Sequence, residues 1–362
     1  EAVRWLARFD ARAKTVFGAV ETLHHTTPRA KTVEVYTAGD GGGDIYFLRR
    51  GETDNKAGKA QLSYLQVLSP ERPAPISTPD PKAVKPAPVD PRVALANWIT
   101  DPKDGAGPLL ARVIVNRLWQ HHFGRGLVST PNDFGAQGDR PSHPELLDWL
   151  AGELIRNGWR LKPIHRLLMT TAVYKQAGTV VDANQAIDPE NRYLWYRKPH
   201  RLEAEIIRDA LRAVAGELNL TQFGPGDLNE ENPRRSVYLT VKRSQLIPFL
   251  QMFDAPDATA SIGVRPGTTV PTQALALMNS PAVRQRATSM AARVRKAAGE
   301  VPAAQIDTAY LIALARPPTT DERARLIEFF DAQRGTAPKA PDTALVEVCH
   351  LLLCLNEFVY VD

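Results

Sequence analysis

A chain of 362 residues, 43% hydrophobic and 23% charged, is long enough for about two globular domains and apolar enough to bury a core, which excludes a disordered or collagen-like polypeptide. The net charge is +5, but Lys and Arg occur singly or in pairs such as Arg49-Arg50 and Arg234-Arg235. They never form the stripe that a nucleic-acid surface requires, so no nucleic acid is expected as a partner. No apolar run approaches the roughly 18 residues of a spanning helix, and no membrane span is expected.

Residues 1–23 carry a helical pattern without an initiator Met or a signal-peptide pattern, and read as the tail of an upstream region. Runs at 33–36 and 45–48 have strand character and predict a hairpin across the glycine-rich turn between them. That turn lacks the Gly-Lys-Ser/Thr ending of a phosphate loop and leads into no helix. Eight prolines fall between residues 70 and 91. Proline fixes φ and removes a donor, so this stretch predicts an extended linker. The expected organisation is therefore an N-terminal appendage at 1–69, a Pro-rich linker at 70–91 and a helical domain at 92–362.

Helical patterns dominate that domain. Asp90 before Pro91 is an N-cap for a helix reaching about residue 99. Further helices are predicted over 108–122 ending at Gly124, 141–157 ending at Gly158, 163–174, 201–218, 270–278 and 281–298. Leu202, Ile206, Ala210, Val214 and Leu218 recur every four residues and predict a buried stripe. Residues 236–241 alternate like a strand. Thr319-x-x-Glu322 is a capping box for a helix to about residue 333, and Asp342 caps the last one. Cys349 and Cys354 sit on that last helix at a spacing that matches neither a haem-attachment motif nor a zinc site, and read as small apolar core residues. The fold class expected is mainly α: a multi-helix globular domain with a small β-hairpin appendage at the N-terminus. No internal repeat suggests a solenoid.

The stretch 111–149 holds the densest candidate chemistry. Residues 109–122 are apolar all round, as in a buried helix, yet include Arg112, Asn116, Arg117, Gln120 and His121. A buried guanidinium must be paired and hydrogen-bonded. Asn116 shares a face with Gln120, and Arg117 with His121. Either they form a polar pocket for an anionic or sugar-like ligand, or an internal network that pins nearby loops. His121 and His122 point about 100° apart, so they cannot share one ion on an intact helix, and no metal site is expected. Asp133 and Arg125 occupy a glycine-rich loop as a catalytic pair or a loop salt bridge. Ser142-x-x-Glu145 reads as a capping box with Pro144 in the first turn, which leaves His143 without a structural role. Glu205 lies at helical spacing from Arg201, Arg208 and Asp209, either as an acid–base carboxylate or as part of a salt-bridged face. Arg265 precedes Thr268 and Thr269 at a helix start, where an anion site or threonine caps are both reasonable. The candidate catalytic residues are His121, Asp133, His143 and Glu205. The candidate ligand-binding residues are Asn116, Arg117, His121, Arg125, Arg208 and Arg265.

Several of these runs carry a resemblance. They are 112–122 with Phe123-Gly-Arg-Gly-Leu-Val128, Thr130-Pro-Asn-Asp-Phe-Gly135, Pro141-Ser-His-Pro-Glu-Leu-Leu-Asp-Trp-Leu150, Gly158-Trp-Arg-Leu-Lys162 and Arg201-Leu-Glu-Ala-Glu205. Phe253-Asp-Ala-Pro-Asp257, Thr269-Val-Pro-Thr-Gln-Ala-Leu275 and the ending Asn356-Glu-Phe-Val-Tyr360 join them. Together, over residues 90–362, they resemble an uncharacterised planctomycete-type domain family of large exported proteins. The resemblance implies a helical fold and an extracytoplasmic location, in the periplasm or at the cell surface. It also implies an association with planctomycete-type cytochrome c domains and sulfatase-like proteins. A haem c would belong to an upstream domain, because this chain has no C-x-x-C-H motif and no cofactor of its own is expected. No activity comes with the resemblance. Two functions follow as expectations: a binding or structural module that docks a redox or carbohydrate-processing partner, or a domain that binds or acts on polysaccharide, including sulfated glycans. The sequence leaves open which of them is enzymatic.

Overall fold

A computed structural model describes residues 14–16, 18–19, 22, 44–60, 63–69, 90–336 and 342–361. The chain divides into two compact units, Glu1–Ala60 and Gln61–Asp362. In the first, the described residues within 1–23 are helical. The rest of that pattern and the run at 33–36 lie outside the described residues. Strand β1 (Tyr46–Leu48) pairs antiparallel with β2 (Lys56–Lys59), Tyr46 opposite Lys59. A hairpin is present, but its second strand follows residue 48 where the sequence suggested one preceding residue 45. The reversal occurs at Arg49–Gly51, where Arg50 and Gly51 both take positive φ and the Arg49 amide donates to the Asn55 carbonyl at 2.9 Å.

Residues 71–89 of the Pro-rich stretch lie outside the described residues. Residues 63–69 fall in the second unit. Tyr64 stacks on Trp98 at 5.1 Å between ring centroids, and the Trp98 indole donates to Ser69 Oγ at 3.0 Å. Trp98 lies on helix α1 (Pro91–Thr100), whose start is capped as expected: Asp90 Oδ1 accepts the Arg92 amide at 2.8 Å.

Two apolar cores follow. The first joins α2 (Gly107–Phe123), α3 (Pro144–Arg156) and α4 (Leu161–Thr170). Ala111, Val115 and Trp119 of α2 pack with Leu147, Leu150 and Leu154 of α3 and with Ile164 and Leu168 of α4. Helix α2 ends at Gly124, whose φ of +82° forms the left-handed cap that glycine favours. This helix is buried along one stripe, not all round as its composition suggested. Arg117 and His121 are exposed, and Arg112 leans outward to Asp148 at 2.6 Å. Part of its apolar surface is used against α1.

A short helix α5 (Asp182–Ile187) and strand β3 (His200–Arg201) lead into the second core. It joins α6 (Ala204–Ala215) to α8 (Pro271–Asn279), α9 (Pro281–Ala298), α10 (Pro302–Leu314), α11 (Thr320–Thr336) and α12 (Asp342–Leu353), with the short α7 (Pro248–Met252) at its edge. Helix α9 is the centre, packing against α6, α8, α10 and α12. Its Ala287, Met290 and Val294 are fully enclosed. Met290 and Val294 each contribute roughly 1.5–3 kcal/mol on burial. Helix α13 (Asn356–Val359) and β4 (Tyr360–Val361) close the chain, β4 pairing antiparallel with β3.

That pairing changes the reading of 201–218. Arg201 is a strand residue opposite Tyr360, so α6 starts at Ala204. The buried face carries Ala204, Ile207, Leu211 and Val214, together with Arg208 and Arg212, while Ile206 is exposed. The four-residue repeat of the sequence was out of phase, because two arginines on the inner face interrupted the apolar pattern. Residues 236–241 form a 3-10 turn at Ser236–Tyr238 in place of the expected strand. The Ser236 amide and hydroxyl both donate to Asp209 Oδ1, at 2.8 and 2.7 Å, where a strand would need a ladder partner. The Thr319–Glu322 capping box forms as expected, with the Thr319 amide donating to Glu322 Oε2 at 2.7 Å. Among the described residues, no helix is long and apolar enough to cross a membrane.

Candidate functional site

The C-terminal end of α2, the β3–α6 junction and the segment 236–265 enclose a cleft of about 720 Å³. Helix α2 contributes Arg117, Gln120 and His121. The junction contributes His200, Glu203, Glu205 and Ile206, and the long segment adds Val241, Lys242, Ile262, Val264 and Arg265. Gln120 Nε2 donates to the Gly263 carbonyl at 3.2 Å and so ties the far wall to α2. A Cβ on Gly263 would lie 2.9 Å from the Asn132 side chain, so only glycine permits this approach to the 124–135 loop. Arg117 reaches Asn132 Oδ1 of the same loop at 3.2 Å.

Arg265 forms a bidentate pair with Glu205, at 2.7 and 3.0 Å, and lies 3.3 Å from Glu203. Burial alone would raise the Glu205 pKa. The Arg265 hydrogen bonds outweigh it and hold the carboxyl below its ordinary value, so Glu205 is ionised at neutral pH. It acts as a fixed acceptor and has no proton to donate.

The cleft wall is anchored by Asp254, which adopts a φ of +61° directly after the buried Phe253. Its carboxylate accepts from the Thr268 amide at 2.8 Å, the Thr268 hydroxyl at 2.9 Å and Arg201 Nη2 at 2.8 Å. Burial of this carboxylate opposes ionisation, but the Thr268 and Arg201 bonds hold its pKa below the usual carboxylate range. Arg201 also donates to the Thr268 carbonyl at 2.6 Å, and Gln273 Nε2 donates to the Met252 carbonyl at 3.1 Å. Thr268 and Thr269 are therefore not helix caps. The former belongs to the Asp254 network, and the latter bonds Tyr360 Oη at 2.6 Å. Helix α8 has Val270 at its N-cap and no side-chain cap.

The sequence-predicted residues are distributed over five places. Arg117, His121, Glu205 and Arg265 line the cleft. Arg125 and His143 line a second, smaller pocket of about 280 Å³. Asn116 is fully buried, and its amide bonds both the carbonyl (3.0 Å) and the amide (2.8 Å) of Val128. It thereby holds the loop that follows α2. Asp133 folds its own turn, accepting the Gly135 amide at 2.8 Å, while Arg125 pairs with Glu190 at 3.3 Å and not with Asp133. Arg208 is buried among carbonyl oxygens of 230–234. The expected Ser142–Glu145 capping box is absent: His143 is the N-cap of α3 and makes no side-chain cap. The Ser142 amide donates instead to the Leu127 carbonyl at 2.8 Å, which turns its hydroxyl to His143 Nδ1 at 2.9 Å. His121 and His143 thus line different pockets. Among the described residues, no hydrogen bond joins His121 to a carboxylate.

Other site residues escaped sequence reasoning. His200 and Lys242 line the cleft without any motif to mark them, and Glu203, though inside the Arg201–Glu205 run, was not singled out as a site residue. His122 Nε2 and His165 Nδ1 are 2.9 Å apart, a contact set by the packing of α2 on α4. Burial, with help from His165, Arg197 and His121, pushes the His122 pKa down. Arg286 bridges Glu217 at 2.6 Å and Glu231, joining α9 to the segment after α6. Among the described residues, no group of three or more His, Cys, Asp or Glu side chains is assembled for a metal ion.

No curated protein and no solved structure matches this chain. Residues 91–330, from the start of α1 to near the end of α11, match a family model described as PSD1, protein of unknown function (DUF1553). That match spans more than half of the sequence, and the chain belongs to this family.

Proposed function

We propose that this domain is an extracytoplasmic binding module whose cleft docks a redox or carbohydrate-processing partner protein. The observation that carries the binding part is the chemistry of the cleft. Exposed aliphatic side chains (Ile206, Val241, Ile262 and Val264) stand beside the Arg265–Glu205 pair, whose charges are already satisfied. A concavity that combines aliphatic side chains with fixed polar groups suits an extended segment of another polypeptide. Acid–base chemistry has less support, because it needs a tuned proton donor and acceptor within reach of each other. Glu205 is held ionised and His121 bonds no carboxylate among the described residues. Polysaccharide binding also has less support in the cleft, whose lining holds no Trp, Tyr or Phe on which a sugar ring would stack. The location and the kind of partner rest on the sequence resemblance.

Photo-crosslinking tests this function. A benzophenone side chain placed at Val241 or Val264 in the full chain should trap the same protein from an extracytoplasmic extract. Placed at exposed Leu311, it should not. Ile206→Glu with Val264→Glu should cut the yield at least tenfold at an unchanged melting temperature, since both side chains are exposed. Equal capture from all three positions, or polysaccharide turnover that depends on Glu205, would sink the proposal.

A further inference from the structure

The smaller pocket shares no lining residue with the cleft. It is bounded by the segment 125–143, by Trp119 and by the turn that carries Asn191, Arg192 and Leu194. Three arginines are among its lining residues, Arg125, Arg140 and Arg192, together with Ser142 and His143. The lining holds one carboxylate, Asp139, and this already accepts the Ser129 hydroxyl. Arg125 lies 3.3 Å from Glu190 in an exposed pair. Arg140 and Arg192 have no side-chain hydrogen bond or ion pair among the described residues.

The backbone on both sides is pinned. On one wall, the Asp139 amide donates to Thr130 Oγ1 at 2.9 Å and the Ser142 amide to the Leu127 carbonyl at 2.8 Å, on either side of Arg140. On the other, the Asp188 carboxylate accepts the amides of Arg192 and Tyr193 at 2.9 and 2.8 Å, and the Trp195 indole donates to the Asp188 carbonyl at 2.9 Å. Asn116 holds Val128, which lies between the lining residues Leu127 and Ser129. Like charges are therefore carried to one pocket by turns that these hydrogen bonds hold in place. Their mutual repulsion is relieved when an anion lies between them.

We propose that this pocket binds a tetrahedral oxyanion, a phosphoryl or sulfuryl group carried on a ligand. Guanidinium groups from different walls can each donate to a different oxygen of a tetrahedral group. A carboxylate offers two oxygens in one plane and satisfies fewer of them. This proposal does not depend on what occupies the cleft.

The test is calorimetric titration of the full chain with inorganic phosphate, inorganic sulfate and acetate, at ionic strength held constant with chloride. Saturable binding of one phosphate or sulfate per chain is expected, with acetate at least tenfold weaker. The tighter of the first two identifies the group. Arg140→Gln and Arg192→Gln should each weaken that binding roughly tenfold. Their melting temperatures in chloride should match the parent, because both side chains are exposed. Arg325→Gln, an exposed charge change on α11, should leave binding unaltered. Absence of saturable phosphate and sulfate binding, equal binding of acetate, or unchanged affinity in Arg140→Gln and Arg192→Gln would each overturn the proposal.

Discussion

Arg208 is a charge built into a core. Its guanidinium donates to the carbonyls of Glu230 at 2.7 Å, Asn232 at 2.6 Å and Arg234 at 3.1 Å, and to Ser236 Oγ at 3.1 Å. Burial pulls its pKa down and Arg212 adds repulsion, while Asp209, Glu230 and Glu231 oppose the change. Arg208→Ala would leave those acceptors buried without a donor, so a loss of about 3–5 kcal/mol is expected, read from the urea midpoint. Arg208→Lys should recover little of it, because an ammonium cannot span the same fork of carbonyls. A lysine variant of parental stability would show that charge alone matters there. Cys349 makes a different case. It is fully buried on α12, and burial pushes its thiol up to about 12. A thiol reagent at pH 8 should therefore titrate at most Cys354 in the native chain, and both cysteines once it is unfolded. Rapid labelling of Cys349 in the native state would contradict this burial.

At the scale of elements, α11 is held at its start by a local motif and a distant charge together. Glu322 receives the Thr319 amide within the capping box and both Nη atoms of Arg316 at 2.8 Å. Arg316 also reaches Glu357 of α13 at 2.6 Å. The Arg316 hydrogen bonds and the Thr319 amide lower the Glu322 pKa from 4.5 to about 2. A carboxyl depressed in the folded state stabilises fully above its unfolded pKa and loses that contribution as pH falls through the folded one. Part of the chain's stability should thus disappear between about pH 4.5 and 2. Glu322→Gln should flatten that limb and cost about 1 kcal/mol at pH 7, since the site is partly exposed and screened. Denaturant melts at pH 7, 4.5 and 3 check both points. An unchanged acid limb in Glu322→Gln would place the pH dependence elsewhere.

The whole second unit is built around two apolar clusters, one on α2–α4 and one on α6 and α8–α12. Leu154 and Ile306 are fully buried, one in each. Leu154→Ala and Ile306→Ala should each cost about 2–5 kcal/mol through lost burial and a residual cavity. Because they belong to separate clusters, the double variant should be additive within about 0.5 kcal/mol if the unit unfolds as one body. Separated transitions in the single variants would show the two cores melting independently.

The sequence by itself determined the mainly helical class and many of the helix ends. Asp90 with Pro91, Gly124 and the Thr319–Glu322 box each act within a few residues, through an orphan amide or a positive φ, so their chemistry is readable without a partner. Only the tertiary structure decided the site. Glu205 pairs with Arg265 sixty residues away, although Arg201 and Arg208 stand at helical spacing from it in the sequence. Arg201 was taken by Asp254, and Arg208 by the carbonyls of 230–234. Any buried guanidinium will donate to any well-placed oxygen, and spacing along one helix cannot say which oxygen the fold brings closest. The same indifference split His121 from His143 and gathered Arg125, Arg140 and Arg192 around one pocket, none of which a local pattern encodes.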